Sequence, residues 1–127
     1  MTIKSCFSLV EEAKQKIKSI NFKNALKLHN EGETIFIDLR DIRELQKEGK
    51  IPNAFHIPRG MLEFWLDPNS AYFKEGKLDI NKPMILFCAG GLRSALATKT
   101  LLEMGFEKVS HIDGGFSSMR ANGFKVE

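Results

Sequence analysis

Met84-Ile85-Leu86-Phe87-Cys88 is an unbroken apolar run bounded by polar and glycine-rich sequence, the pattern of a short buried strand. Ala89-Gly90-Gly91-Leu92-Arg93-Ser94 follows it, and a helical stretch from Ala95 to Met104 follows that. A strand that turns through glycine straight into a helix is the unit from which mainly parallel sheets are built, so this one segment already points to an α/β chain. It also fixes where a thiol sits. Cys88 closes the strand, and a turn of this kind aims successive backbone N–H groups at one point, to which the helix N-terminus adds partial positive charge. A sulfur held there is favoured as the thiolate, the form in which cysteine is a nucleophile.

The rest of the chain repeats the alternation of short apolar runs and helical stretches. Ser8-Leu9-Val10-Glu11 has the capping-box pattern and opens an amphipathic helix with Val10, Ala13 and Ile17 on one face. A second helical stretch runs from near Asn24 to Asn30 and stops at Gly32. Thr34 to Asp38 is an apolar strand, Asp41 to Glu48 a charged helix ending at Gly49, and Ala54 to Ile57 a strand broken by Pro58. Gly60 to Leu66 reads as a short aromatic helix, residues 69–82 as a polar surface loop, and Val109 to Ile112 as a further strand closed by Asp113-Gly114-Gly115 before a last helix. In parallel α/β sheets, ligands bind beyond the carboxyl ends of the strands, which gathers Asp38, Pro58, Cys88 and Asp113 as candidates for one rim. Leu92 and Leu96 fall on the polar side of the helix after Cys88, either covered by the N-terminal helix or forming an apolar lip.

A chain of 127 residues holds one domain. With 43% apolar and 28% charged residues and a net charge of +3 without a long basic run, it reads as a globular protein with no call for nucleic acid. No segment approaches membrane-spanning length, and the N-terminus lacks the apolar region of a signal peptide. The two cysteines, Cys6 and Cys88, form no Cys-x-x-Cys, so neither a disulfide framework nor a cysteine-rich zinc site is expected, and a reducing cytoplasm fits best. His29, His56 and His111 show no metal-ligand spacing; no metal or cofactor is expected.

Cys88-Ala-Gly-Gly91-Leu-Arg93-Ser94 resembles the active-site loop of the rhodanese-like sulfurtransferases in its Cys-x-x-Gly-x-Arg-Ser form. Other signatures fall in the family's order: Asp38-Leu39-Arg40, the segment Gly49 to Pro58 with its Ile-Pro-x-Ala, and Gly105-Phe106 ahead of Asp113-Gly114-Gly115-Phe116. Three positions depart from the pattern: Asn53 stands in place of a glycine, Lys50 where histidine is common, and Met119 where tryptophan is frequent. The resemblance implies the rhodanese α/β fold, a mainly parallel central sheet flanked by helices, over residues 20–127, with residues 1–19 as an N-terminal helical extension. It further implies a sulfurtransferase that carries a sulfane sulfur from thiosulfate or a persulfide, as a Cys88 persulfide, to a thiophilic small molecule or protein. Cys88 and Arg93 would be the catalytic pair. Ala89, Gly90, Gly91, Leu92 and Ser94, with Arg59 at the rim, would bind substrate, and Asp38 and Arg40 would support the pocket.

Each assignment has a plainer counterpart. Arg93 is either a pocket residue or an exposed first-turn arginine, Ser94 either a substrate contact or a helix-terminal structural residue, and Arg59 either a rim cation or a solvated charge. Asp38 and Arg40 read as a structural ion pair, and Phe64 and Trp65 either as core or as a pocket wall. Cysteine-based phosphatases and some arsenate reductases use a similar loop with five residues between cysteine and arginine; here four lie between Cys88 and Arg93, a tighter turn better matched to one sulfur than to an oxyanion. A non-catalytic rhodanese-like binding module is the remaining alternative, one that commonly lacks the cysteine this chain keeps. Donor, acceptor, pathway and oligomeric state are not specified by these residues.

Overall fold

The computed structural model describes residues 1–73 and 76–127; the part of the 69–82 loop at Lys74 and Glu75 lies outside the described residues. Five parallel strands, β1 (Lys18–Ile20), β2 (Ile35–Asp38), β3 (Phe55–His56), β4 (Met84–Phe87) and β5 (Val109–Ile112), form one sheet in the order β1-β5-β4-β2-β3. The helices are α1 (Cys6–Lys14), α2 (Phe22–Glu31), α3 (Ile42–Glu48), α4 (Leu62–Leu66, preceded by a 3₁₀ turn at Arg59–Met61), α5 (Leu92–Glu103) and α6 (Gly115–Ala121). β4 is central and buried along its whole length, as its unalternated apolar run requires.

Strand alternation sorts the core into two layers. Ile37, Leu39, Met84, Leu86, Cys88 and Val109 face α4 and α5, where Leu62, Leu66, Ala97 and Leu101 meet them. Phe36, Ile85, Phe87 and Ile112 face the other side, packed with Ala25 of α2 and with Phe116, Met119 and Phe124 in and after α6. Met119 is fully buried there, so the departure from tryptophan is one of packing. α1 lies on α5, where Val10 and Ala13 close over Ala95 with Ile17 and Leu96 beside them. The two leucines thus divide: Leu96 is covered by α1, and Leu92 remains exposed.

Three local readings change. The cap of α1 is Ser5, whose side chain accepts from the Ser8 N–H, one turn earlier than the Ser8-to-Glu11 box. The reason is geometric: starting at Ser5 adds a turn while keeping Val10 and Ala13 against α5. Residues Lys18–Ile20 form an edge strand on β5 that the sequence does not announce, since two of its three residues are solvent-facing. The stretch from Gly60 opens as a 3₁₀ turn at Arg59. Elsewhere the turn chemistry holds: Gly32 closes α2 in the left-handed region, and Asp41 with Glu44 completes a capping box on α3. No helix among the described residues is long and apolar enough to cross a membrane.

Asn53 is the one non-glycine residue with positive φ among the described residues, at 65°. Asparagine tolerates this region better than other side chains, which is how it stands in for glycine. Asn53→Ala is therefore expected to lower unfolding free energy by about 1 kcal/mol, and Asn53→Gly to stay within about half of that, as read from urea denaturation midpoints.

Candidate active site

The site is built where β4 runs out. A helix start leaves N–H groups unsatisfied, and a capping side chain normally accepts from one of them. α5 begins at Gly91 with no such side chain. The Cys88 sulfur takes that place, accepting from the N–H of Gly91 at 3.2 Å and from that of Ser94, the third residue of the helix, at 3.4 Å. The Ser94 hydroxyl lies 3.6 Å from the sulfur. A twelve-residue helix thus points its positive end at a thiol that is 1% exposed.

The turn that allows this is held from behind. Gly91 has φ of 99°, the left-handed region in which a side chain would be strained. The carbonyls of Cys88 and Ala89 point away from the thiol and accept from the N–H groups of Phe116 and Ser117 in the first turn of α6, at 2.7 and 3.1 Å. This seating needs Gly115, since a β-carbon there would stand 2.5 Å from the Cys88 carbonyl oxygen. The Asp113-Gly114-Gly115-Phe116 segment is therefore the clamp on the Cys88 turn.

Asp38 and Arg40 brace the same clamp. Arg40 Nη2 donates to Asp38 Oδ2 at 2.8 Å, Nε donates to both carboxylate oxygens, and Nη2 also donates to the Gly49 carbonyl. The Arg40 guanidinium carbon lies 3.9 Å from the centre of the Phe116 ring, and its backbone carbonyl accepts from His56 Nε2. Both side chains are 1% exposed, so removing one partner would strand a buried charge.

Arg93 lies at the mouth but is committed elsewhere. Its guanidinium makes a two-pronged bond to Glu44 of α3, Nη1 to Oε2 at 2.8 Å and Nη2 to Oε1 at 3.0 Å. The Glu44 pair raises the Arg93 pKa against the opposing effect of burial, with a smaller push from the Cys88 sulfur, and Arg93 in turn lowers Glu44. Arg59 pairs with Glu63 on its own helical turn, and no ion pair or side-chain hydrogen bond joins it to the Cys88 turn among the described residues. Ala89 is half-buried, Gly90 and Leu92 are exposed at the mouth, and Phe64 is exposed against Tyr72 rather than packed as core. Trp65 does pack against the core on the α4 side. Ala89 and Phe116 also border a cleft of about 460 Å³ that Arg43, Glu44 and Arg120 complete.

Sequence reasoning missed Glu44 and His111. The first takes part in a capping box, which hides its second role holding Arg93. The second is fully buried on the Cys88 face of the sheet, bonded to Ser94 through Nδ1 at 3.0 Å and to Ser19 through Nε2 at 2.9 Å. Burial lowers the His111 pKa; Asp113 opposes this and Lys14 reinforces it. Among the described residues no group of three acidic, histidine or cysteine side chains could hold a metal ion.

Two outcomes follow. Asp38→Ala is expected to cost about 3 kcal/mol in urea denaturation, with a clearly smaller loss for Arg43→Ala in the exposed pair with Asp41. For His111 the folded value is depressed below the ordinary 6.5, so the unfolded chain binds the extra proton as pH falls. The stability His111 contributes is present above about pH 6.5 and is lost below it. The urea midpoint should fall between about pH 7.5 and about pH 5.5, with a shallower fall in His111→Asn.

A rhodanese-like domain family model matches residues 21–122. The chain is 30% identical over 104 residues to thiosulfate sulfurtransferase/rhodanese-like domain-containing protein 3 of Mus musculus, a match covering 78% of this chain and 66% of that protein, so it spans just under two thirds of that relative's length. Among solved structures, it is similar to a Rhodopseudomonas palustris protein of unknown function described as a possible tyrosine phosphatase: 42% identity, TM-score 0.92, covering 100% of this chain and 98% of that one. It is also similar to the homodimeric polysulfide-sulfur transferase of Wolinella succinogenes, at 34% identity and TM-score 0.76, covering 94% of this chain and 85% of that one.

Proposed function

Because the chain belongs to the rhodanese-like domain family, with sulfurtransferases among its relatives, we propose that it is itself a sulfurtransferase working through a Cys88 persulfide. The observation that carries this reading is the sulfur in the capping position of α5, with two backbone N–H donors already on it. In the first step the Cys88 thiolate attacks the sulfane sulfur of a donor. A new S–S bond forms, the donor's own bond to that sulfur breaks, and the donor leaves with the electron pair, as sulfite when thiosulfate is used. The product is the Cys88 persulfide anion, which backbone N–H groups of the turn, Gly91 and Ser94 among them, would receive without side-chain ordering. In the second step a thiophilic acceptor, cyanide or a small-molecule or protein thiol, attacks the outer sulfur and the Cys88 thiolate departs.

The side chains around the turn favour a persulfide or polysulfide donor over thiosulfate. Ala89 and Gly90 bring no charge, and the Arg93 guanidinium is occupied by Glu44, so a sulfonate group has no free cation in the turn to meet. Arg93 then acts by holding α3 against the mouth and by adding positive charge near the sulfur. Arg59 is a second cation of the rim in this reading, with its charge shared with Glu63. Ser94 contacts the sulfur directly, and Asp38 with Arg40 keeps the clamp in place. No cofactor takes part. The reduced thiol this chemistry needs fits a reducing cytoplasm, and both cysteines are free.

Phosphate-ester hydrolysis is the second reading, favoured by the description of the Rhodopseudomonas relative. Two features weigh against it: the turn is one residue shorter than the phosphatase pattern, and the arginine that would grip two phosphate oxygens grips a carboxylate. The deciding experiment is intact-protein mass after incubation with thiosulfate or a small-thiol persulfide, for wild type and Cys88→Ser, with aryl phosphate hydrolysis measured alongside. The expected result is a gain of one sulfur in wild type only, removed by cyanide as thiocyanate, with no phosphate release. Failure of both donors to load Cys88 would leave a binding module, and phosphate release dependent on Cys88 would replace the proposal with the second reading.

A further inference from the structure

Ser94, which touches the Cys88 sulfur, is itself held by a group the transfer chemistry does not use. Alternation places Cys88, His111 and Ser19 on the same face of the sheet, and the register sets Ser19 of β1 directly beside His111 of β5. The result is an unbroken chain: Cys88 Sγ to Ser94 Oγ at 3.6 Å, Ser94 Oγ to His111 Nδ1 at 3.0 Å, and His111 Nε2 to Ser19 Oγ at 2.9 Å. It begins at a buried thiol and ends at an exposed edge-strand hydroxyl.

The donors in this chain have one consistent order when the sulfur is an anion. A thiolate or persulfide can only accept, so Ser94 must spend its single hydroxyl proton on it. The Ser94 oxygen must then accept from His111, which requires the proton on Nδ1. A neutral imidazole with its proton on Nδ1 has an accepting Nε2, and Ser19 supplies the donor. Burial keeps His111 neutral; the charged groups that act on it are Lys14 from α1 and Asp113 at the end of β5, which lie 3.9 Å from one another.

We propose that His111 is a positioning residue for Cys88: anchored by Ser19, it holds the Ser94 hydroxyl in the orientation that donates to the sulfur anion. The inference rests on Cys88 being the nucleophile, but it concerns the ionisation of the thiol and not the transfer of sulfur. Without His111 the Ser94 hydroxyl is free to turn away, and the sulfur keeps only its backbone donors.

The test reads the thiolate directly, from its ultraviolet absorbance as a function of pH. Each variant is compared with its own Cys88→Ser counterpart, which removes the contributions of Cys6 and Tyr72. His111→Leu is expected to move the profile toward alkaline pH, lowering the thiolate fraction on the rising limb about fivefold. His111→Asn, whose amide N–H can replace the Nδ1 donor, should recover most of that loss. Ser19→Ala, a change at the exposed edge, should shift the profile the same way by about twofold. A His111→Leu profile that coincides with wild type, or an Asn variant displaced as far as the Leu variant, would overturn the proposal. If His111→Leu does not fold, Ser19→Ala decides: coincidence with wild type overturns it. Because absorbance needs no donor, acceptor or turnover, the sulfurtransferase reading can fail while this one stands, and the reverse.

Discussion

The placement of one sulfur atom at the start of one helix organises this molecule. A helix N-terminus has donors to spare, and here the acceptor is a cysteine three residues before the cap position Gly91, not a serine or aspartate at the cap. That substitution of sulfur for a capping oxygen is possible only if the chain folds back sharply after β4, which accounts for Gly91 in the left-handed region and for the close approach at Gly115. The carbonyls that would otherwise face the thiol are drawn into α6. The environment left around the sulfur is made of N–H groups, one hydroxyl and a helix dipole, all of which favour negative charge.

The buried Asp38–Arg40 pair belongs to the same construction. A desolvated ion pair is a weak source of stability in itself, because the cost of removing two charges from water is offset only by good geometry and further hydrogen bonds. Here both conditions hold, and the pair ties the end of β2 to Gly49, to His56 through the Arg40 carbonyl, and to the ring of Phe116. Phe116 is the residue whose N–H takes the Cys88 carbonyl. The pair therefore reaches the Cys88 turn through two contacts, and its role is to fix the clamp.

Much of this was legible in the residues, and what was not has a physical reason. β4, its turn and α5 are readable because one element is a solid apolar run, one is glycine, and one is helical by composition. Asn53 is legible as a departure from glycine, and its positive φ is one that asparagine tolerates. β1 is not legible because it is three residues long and mostly exposed, carrying no alternation to detect. The pairing of Arg93 is not legible because its partner, Glu44, is 49 positions away and already explained as half of a capping box. His111 lacks metal-ligand spacing and so carries no local signal; its partners come from β1 and α5 and are brought together only by strand order. Spacing within a segment could be read directly; pairings across the sheet required its topology.

The central claim is that the Cys88 turn is sized and lined for a single sulfur. Inserting one glycine between Gly91 and Leu92 tests it most directly, by comparing the rate of sulfur loading on Cys88 with the affinity for an oxyanion such as inorganic phosphate. The account predicts slower loading together with tighter oxyanion binding, since the widened turn separates the Gly91 and Ser94 donors that now converge on one atom. Sulfur loading at the wild-type rate in the inserted variant would contradict it.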